Sequence, residues 1–475
     1  MTVAPYRSDL FKRCKEIYGF LSDCQRQATY DQHAKLANLT IPIRSIEPWL
    51  ALQQLERSYP IHFYYSTIDY TLIGLGTTIA QQATGPERFE RMQQFIDVWK
   101  RRILSSNQTS SIVKPYFLCG FTFFDQTVTN NFFNAAQVFV PQLQILQRNG
   151  QTTVSLNYLI DDSVNITRIV DDINQRLQAV EAAAQKTFDS PNLLGNSAIQ
   201  TSKVVRDVGD FEQMVNSVLP TLQSSDLSKV VLANALDVLS TNSFNIPESL
   251  RALSLAYGDC CIFSLSNGQG PVFIGASPER LLSITTSSNG KQLTTDALAG
   301  SAPRGKTVTA DQHIAQQLLN NPKERYEHQV VVKFIVEQLI QLGLAPKFAD
   351  SPEVLRLANI QHLHTPIQAN LPDHLKPLNL VRALHPTPAV AGFPRPKASQ
   401  LIRTTESFDR SLYASPIGWI DTHGNSEFIV GIRSALIDGR QARLFAGAGI
   451  VAQSNPNSEL AEVKLKLQAL LGALV

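Results

Sequence analysis

Five cysteines in 475 residues, two of them adjacent at Cys260 and Cys261, make neither a disulfide framework nor a zinc-ligand spacing. A stapled secreted scaffold and a structural zinc site are therefore excluded, and a reducing cytosol is the compartment this usage suits. No apolar run is long enough to span a bilayer. The opening Met1-Thr-Val-Ala-Pro-Tyr-Arg-Ser-Asp-Leu has no signal-peptide apolar region, and it is too poor in Arg and Ser for an organelle transit peptide. Basic blocks are missing as well. The 42 Lys and Arg are scattered against 40 Asp and Glu, for a net charge of +2, so nucleic acid is not indicated. The expectation is a cytoplasmic monomer acting on a small molecule, with no nucleic-acid or membrane partner.

What is present is apolar. At 43% hydrophobic, the chain can bury a large core, and it is too long for one typical single-core domain. Residues 1–60 read as a helical lead-in, around Leu10 to Cys24, and then an extended segment interrupted by Pro42 and Pro48. From Ile61 short β-rich runs dominate, and Asn149-Gly150 is a strong hairpin signal. Residues 162–203 are polar, with a helix predicted over Ile169 to Thr187 and a loop at Ser190-Pro-Asn-Leu-Leu-Gly-Asn. They divide a first half, 61–205, from a second, 206–475, that forms one compact unit with it. The second half repeats the alternation. Strands are predicted at Val230, Cys260, Val272 and Asn425 to Gly449, a hairpin at Asn289-Gly290, and mostly helix over Ala310 to Gly343. Many hairpin-connected strands and fewer helices predict an α+β protein. Large antiparallel sheets would carry helices on their outside, in two pseudo-duplicated halves.

The chemistry-bearing stretches fall in the second half. Gly447-Ala-Gly449 precedes a polar turn, Ser454 to Ser458, and a helix in which Glu459 and Glu462 share a face with Lys466. Glu324 and Glu327 repeat that i, i+3 spacing at a second helix start. One such pair is as well explained by a solvated helix start complementing the helix dipole. Two pairs facing each other would repel without a cation, and oxygen ligands suit Mg²⁺. Lys229 opens an apolar strand and could be a solvated end residue or a desolvated base. Pro278 stiffens a turn that projects Glu279, either a general acid or a surface partner of Arg280. Ala297-Leu-Ala-Gly300-Ser301 is either a carboxylate-binding loop or an ordinary one. The histidines of Gln361-His-Leu-His-Thr and Leu384-His-Pro-Thr-Pro-Ala389 lack zinc spacing and predict neutral hydrogen-bonding groups. Tyr413 offers a hydroxyl and Arg433 a fork for a carboxylate.

Together these stretches resemble the chorismate-utilising enzymes, most closely the isochorismate synthases. The resemblance runs from about residue 60 to the end and is dense after 225. It is carried in order by Lys-Val-Val-Leu-Ala, Ser-Pro-Glu-Arg-Leu, Leu-Ala-Gly-Ser, Glu-His, His-Pro-Thr-Pro-Ala-Val, Tyr-Ala-x-Pro-x-Gly-Trp, Ile-Arg-Ser-Ala and Ala-Gly-Ala-Gly-Ile-Val. It implies that Lys229 is the water-activating base and Glu279 the general acid. It places Glu327 and Glu462 on Mg²⁺, with Glu324 and Glu459 as supporting acids. Arg433, Tyr413, Gly447, Gly449 and Lys466 fall to the substrate carboxylates. Gly300, Ser301, His362 and Ala389 fall beside the ring.

Three departures stand out: Asn234 where the family usually has Arg, Cys119 for a glycine, and Ser411-Leu412 for a glycine and an aromatic. Lys229, and Ala297-Leu-Ala-Gly-Ser in place of Pro-Ile-x-Gly-Thr, favour water over ammonia as nucleophile. The His-Pro-Thr-Pro-Ala loop favours isochorismate synthases over salicylate synthases, which go on to eliminate pyruvate. The implied activity is Mg²⁺-dependent, reversible conversion of chorismate to isochorismate, feeding menaquinone or phylloquinone, a catechol siderophore or salicylate. A non-catalytic chorismate-binding protein is the alternative of another class.

Overall fold

The computed structural model describes residues 6–106, 115–126, 132–185, 203–288, 290–358 and 360–474. The predicted loop at Ser190 and the turn residue Asn289 lie outside them. Two large sheets organise the chain, one of 13 strands and one of 9. Nearly every pairing is antiparallel; Lys35–Ile43 with Ile103–Ser105 is parallel.

The larger sheet is built outward from a central pairing of His62–Ser66 with Cys261–Ser266. On one side follow Tyr70–Leu75, Leu143–Arg148, Gln151–Ile160 and Lys35–Ile43. On the other follow Val272–Ser277, Ser434–Asp438, Gln441–Ile450 and Lys229–Ser240. In each direction later strands follow outward from the seam. An earlier strand, Lys35–Ile43 on one side and Lys229–Ser240 on the other, lies beyond them, with a short strand at each rim, Ile103–Ser105 and Lys203–Asp207. The 9-stranded sheet has a similar seam, where Phe117–Phe121 pairs with Pro416–Ile420. Ala136–Val140 and Ile79–Ala83 continue on one side, Ser426–Val430 and Arg280–Ser287 on the other. The two halves thus share a similar strand order on either side of each seam.

Segment 1–60 contributes a strand to this frame. Lys35–Ile43 pairs along its whole length with Gln151–Ile160, and Pro42 is tolerated because the short Ile103–Ser105 strand engages only Leu36 to Asn38 on the other side. The seams are apolar. Phe63, Tyr65, Phe117, Phe121 and Phe263 are all fully buried, and each large side chain contributes roughly 1.5–3 kcal/mol by leaving water.

Two expectations change. Residues 297–303, read as a loop, lie in the long strand Gly290–Pro303, whose register with Ile360–Leu371 shifts between Ala299 and Ser301. Gly300 sits in that bulge at φ +79°, a conformation that a side chain would disfavour. The mostly helical stretch expected over Ala310 to Gly343 consists of Val308–Asn320 and Pro322–Gln341, the second beginning where the Glu324 and Glu327 spacing placed a helix start. Pro322 has no N–H to continue the first helix, and the Asn321 side chain caps the second by accepting from the Lys323 and Glu324 amides. The last helix, Pro456–Leu471, starts in the same way, with Asn455 accepting from the Asn457 and Ser458 amides. It therefore takes in most of the predicted polar turn.

Candidate active site

One cavity gathers every candidate residue: Lys229, Glu279, Gly300, Ser301, Glu324, Glu327, His362, Ala389, Tyr413, Arg433, Gly447, Gly449, Glu459, Glu462 and Lys466. They come from strands of both sheets, from connecting loops and from the N-terminal turns of two helices. Lys229 is the first residue of its strand and is 3% exposed. Its Nζ lies 3.0 Å from Glu327 Oε2. On the neighbouring strand Gln441–Ile450, Gly449 pairs with Val231, two residues along from Lys229. A Cβ on Gly449 would stand 2.7 Å from Lys229 Cε and 2.8 Å from Glu327 Oε2. Glycine is needed there because the two functional side chains fill that space. At Gly447 a Cβ would meet the Leu232 carbonyl at 2.8 Å and the Tyr413 hydroxyl at 2.9 Å.

Glu279 follows the strand Val272–Ser277, and its amide donates to Ser277 Oγ. Arg280 does not pair with it; Arg280 Nε binds Asp296 Oδ2 at 2.9 Å instead. Burial raises the Glu279 carboxyl to about 8, against the opposing pull of Lys229 and Lys466. A carboxyl with that environment keeps its proton at neutral pH and can donate it.

The two acidic pairs face this centre with lysines among them. Glu324 Oε2 accepts from the Ser301 amide at 2.9 Å; burial, then Glu327, raises its carboxyl above the ordinary range. Lys466 Nζ is 2.7 Å from Glu462 Oε1 and donates to the Gly447 carbonyl at 3.0 Å. Burial pushes Glu462 upward, but Lys466, Lys323 and Lys229 outweigh it and hold the carboxyl below its usual value. Lys323 lies 3.0 Å from Glu459 Oε1. Four hard carboxylates lining one cavity form a donor set that fits a hard divalent cation. In the arrangement described, lysines sit between them, and among the described residues no three potential ligands are grouped closely enough to hold a metal.

Arg433 adopts φ +49°, strained backbone at a position singled out for function. Its Nη2 donates to His362 Nε2 at 3.2 Å. His362 must therefore carry its proton on Nδ1, 2.9 Å from Ser301 Oγ. Burial, then Arg433, lowers its pKa to about 3, so the ring is neutral as expected. His385 is also held far below its ordinary value by burial. His364 differs. Its ring nitrogens lie 3.0 Å from Asp296 and 3.0 Å from Glu353; burial opposes its charge, but the two carboxylates win and raise its pKa.

Two further features went unread in the sequence. Lys323 lines the cavity; its i, i+4 relation to Glu327 was available, but its contact with Glu459, 136 positions away, was not. Behind the wall, Arg410 and Glu406 form a pair with side chains 1% and 2% exposed. Arg410 donates to the carbonyls of Val390 and Val231, both 2.7–2.8 Å away. Glu406 accepts from the Ala233 amide. The pair takes up edge groups of the lysine strand and ties them to the Ala389-Val390 loop. The Tyr413 amide in turn donates to the Arg410 carbonyl. Ser411, noted as replacing a glycine, sits at φ +49°, where glycine is favoured.

A family model described as chorismate binding enzyme matches residues 20–475. The chain belongs to that family. Over 455 residues it is 30% identical to isochorismate synthase MenF of Bacillus subtilis, covering 93% of this chain and 94% of that protein. It is 41% identical over 266 residues to the salicylate biosynthesis isochorismate synthase of Pseudomonas aeruginosa, covering 56% of this chain and 54% of that one. Among solved structures, MenF, the menaquinone-specific isochorismate synthase of Escherichia coli, superposes with a TM-score of 0.74 at 25% identity, over 96% of this chain and all of that one.

Proposed function

We propose that the chain is an isochorismate synthase that converts chorismate reversibly to isochorismate, adding water at ring carbon 2 and losing the hydroxyl at carbon 4. The observation carrying this reading is the joint lining of one cavity by a buried lysine and a buried carboxyl raised to about 8. Lys229 is the group placed to take a proton from the attacking water. Glu279 delivers its proton to the departing hydroxyl as the ring double bonds shift. Arg433 and Lys466 supply positive charge for the substrate carboxylates, and the Tyr413 hydroxyl a donor. His362, neutral and donating to Ser301, keeps the Arg433 fork oriented. Gly447 and Gly449, having no Cβ, let the Tyr413 hydroxyl and the Lys229 side chain stand close to their strand. A Mg²⁺ ion held by Glu327 and Glu462, with Glu324 and Glu459 in support, would polarise the ring carboxylate.

Menaquinone synthesis is the pathway we favour. The similarity to the Bacillus subtilis MenF runs through nearly the whole chain, whereas that to the salicylate relative covers about half of it. The test is chromatography of products from chorismate and Mg²⁺, with and without ammonium. Isochorismate alone supports the proposal; salicylate with pyruvate, an aminated ring, or no turnover would each refute it.

A further inference from the structure

We propose that Lys323 is the built-in counter-ion of the cation site, displaced whenever a divalent ion enters, and so the residue that sets the site's affinity. This rests on the Mg²⁺ reading above. Lys323 Nζ lies 3.0 Å from Glu459 Oε1 and 3.9 Å from Glu327 Oε1. Glu459 stands on the first turn of its helix, and Glu327 one turn into a different helix. The ammonium therefore bridges the two walls that a metal ion would have to bridge.

The other two lysines are poorly suited to leave. Lys229 is 3% exposed, at the start of a paired strand. Lys466 is tied to a backbone carbonyl as well as to Glu462. Lys323 has a side chain 37% exposed and rides on the first turn of its helix. A lysine stem has four flexible bonds, and its ammonium is well hydrated once it reaches solvent. It can swing outward without moving either helix.

The consequence is an exchange in place of a simple addition. Four carboxylates, Glu324, Glu327, Glu459 and Glu462, face three lysines, Lys229, Lys323 and Lys466. An arriving divalent ion gains its attraction to the acids but must break the Lys323 contacts. That competition lowers affinity, and it lowers it most for ions of weak charge. It also protects the protein from four mutually repelling acids when no metal is bound.

The experiment is calorimetric titration of Mg²⁺ into substrate-free, EDTA-stripped and dialysed protein, for wild type, Lys323→Met and Lys323→Arg. Lys323→Met keeps the stem and removes the charge. It should bind Mg²⁺ about tenfold tighter or more, the scale of one nearby charge removed at an effective dielectric of about 20. It should also melt lower when stripped and show a larger Mg²⁺-induced rise in melting temperature. Lys323→Arg keeps the charge and should stay near wild-type affinity. Unchanged or weaker binding by Lys323→Met, or an equal gain in Lys323→Arg, overturns the counter-ion role while leaving the metal reading intact. Wild-type protein that binds no Mg²⁺ at all refutes both.

Discussion

Gly449 and Lys229 occupy neighbouring strands so closely that a Cβ on the glycine would stand 2.7 Å from the lysine Cε. What it would strike are the far ends of the Lys229 and Glu327 side chains, which can bend away while the backbone stays put. Gly449→Ala should therefore fold with a melting temperature within a few degrees of wild type, yet lose about 10- to 100-fold in kcat, in line with small misplacements of a catalytic group. A Gly449→Ala enzyme with wild-type kcat would mean that the placement of Lys229 is not critical.

Lys229→Ala and Glu279→Ala should each lower turnover by about 10²–10⁴, the usual range for general acid–base catalysis. Substrate affinity should fall less, since Arg433, Lys466 and Tyr413 remain. Glu279 is protonated below about 8, so turnover should decline as pH rises through that value, and Glu279→Ala should lack this limb. Stability carries the same sign. The folded carboxyl holds its proton between its ordinary value of 4.5 and about 8, where the unfolded one has lost it. The contribution is complete below 4.5 and is lost as pH rises through about 8. Melting curves from pH 4 to 9 should show that decline in wild type and a flatter profile in Glu279→Gln.

EDTA should abolish turnover and Mg²⁺ should restore it. Glu327→Gln and Glu462→Gln should impair Mg²⁺ binding severely, and Glu324→Gln and Glu459→Gln mildly. Titration calorimetry separates these cases; equal losses in all four would contradict the division into direct and supporting acids.

The Arg410–Glu406 pair predicts a different failure. Removing one member leaves the other charge buried without its partner, which costs about 3–5 kcal/mol. Arg410→Met should lose that much in denaturant unfolding. Glu406→Gln, which keeps an acceptor for the Ala233 amide, should lose less. Whatever folds should show reduced kcat, because Val231, Val390 and Tyr413 all take their positions from Arg410.

Much of this was legible from local signals. Hairpin pairs and alternating strands predicted large antiparallel sheets, and the ordered motifs picked out fifteen residues that now line one cavity. What sequence could not show depended on distance along the chain. Glu406 and Arg410 went unread, because only the fold reveals that they seal the edge of a strand far earlier in the chain. His364 read as neutral because neither Asp296 nor Glu353 is near it in sequence. Residues 297–303 read as a loop because Gly300 and Pro303 are turn formers, whereas strand Ile360–Leu371, far along the chain, holds them in register around a bulge.

The two central seams have a consequence for any attempt to divide the protein. A fragment starting near residue 206 would keep every cavity residue but lose the partners of Cys261–Ser266 and Pro416–Ile420. Each would become a bare edge on an apolar strand, with its amides and carbonyls open to pairing with any other chain. The fragment's most available partner is another copy of itself, joining seam to seam where the first half belongs. Cut free, the half that holds the chemistry would be prone to aggregation, and the half without it serves as the permanent cover for those edges.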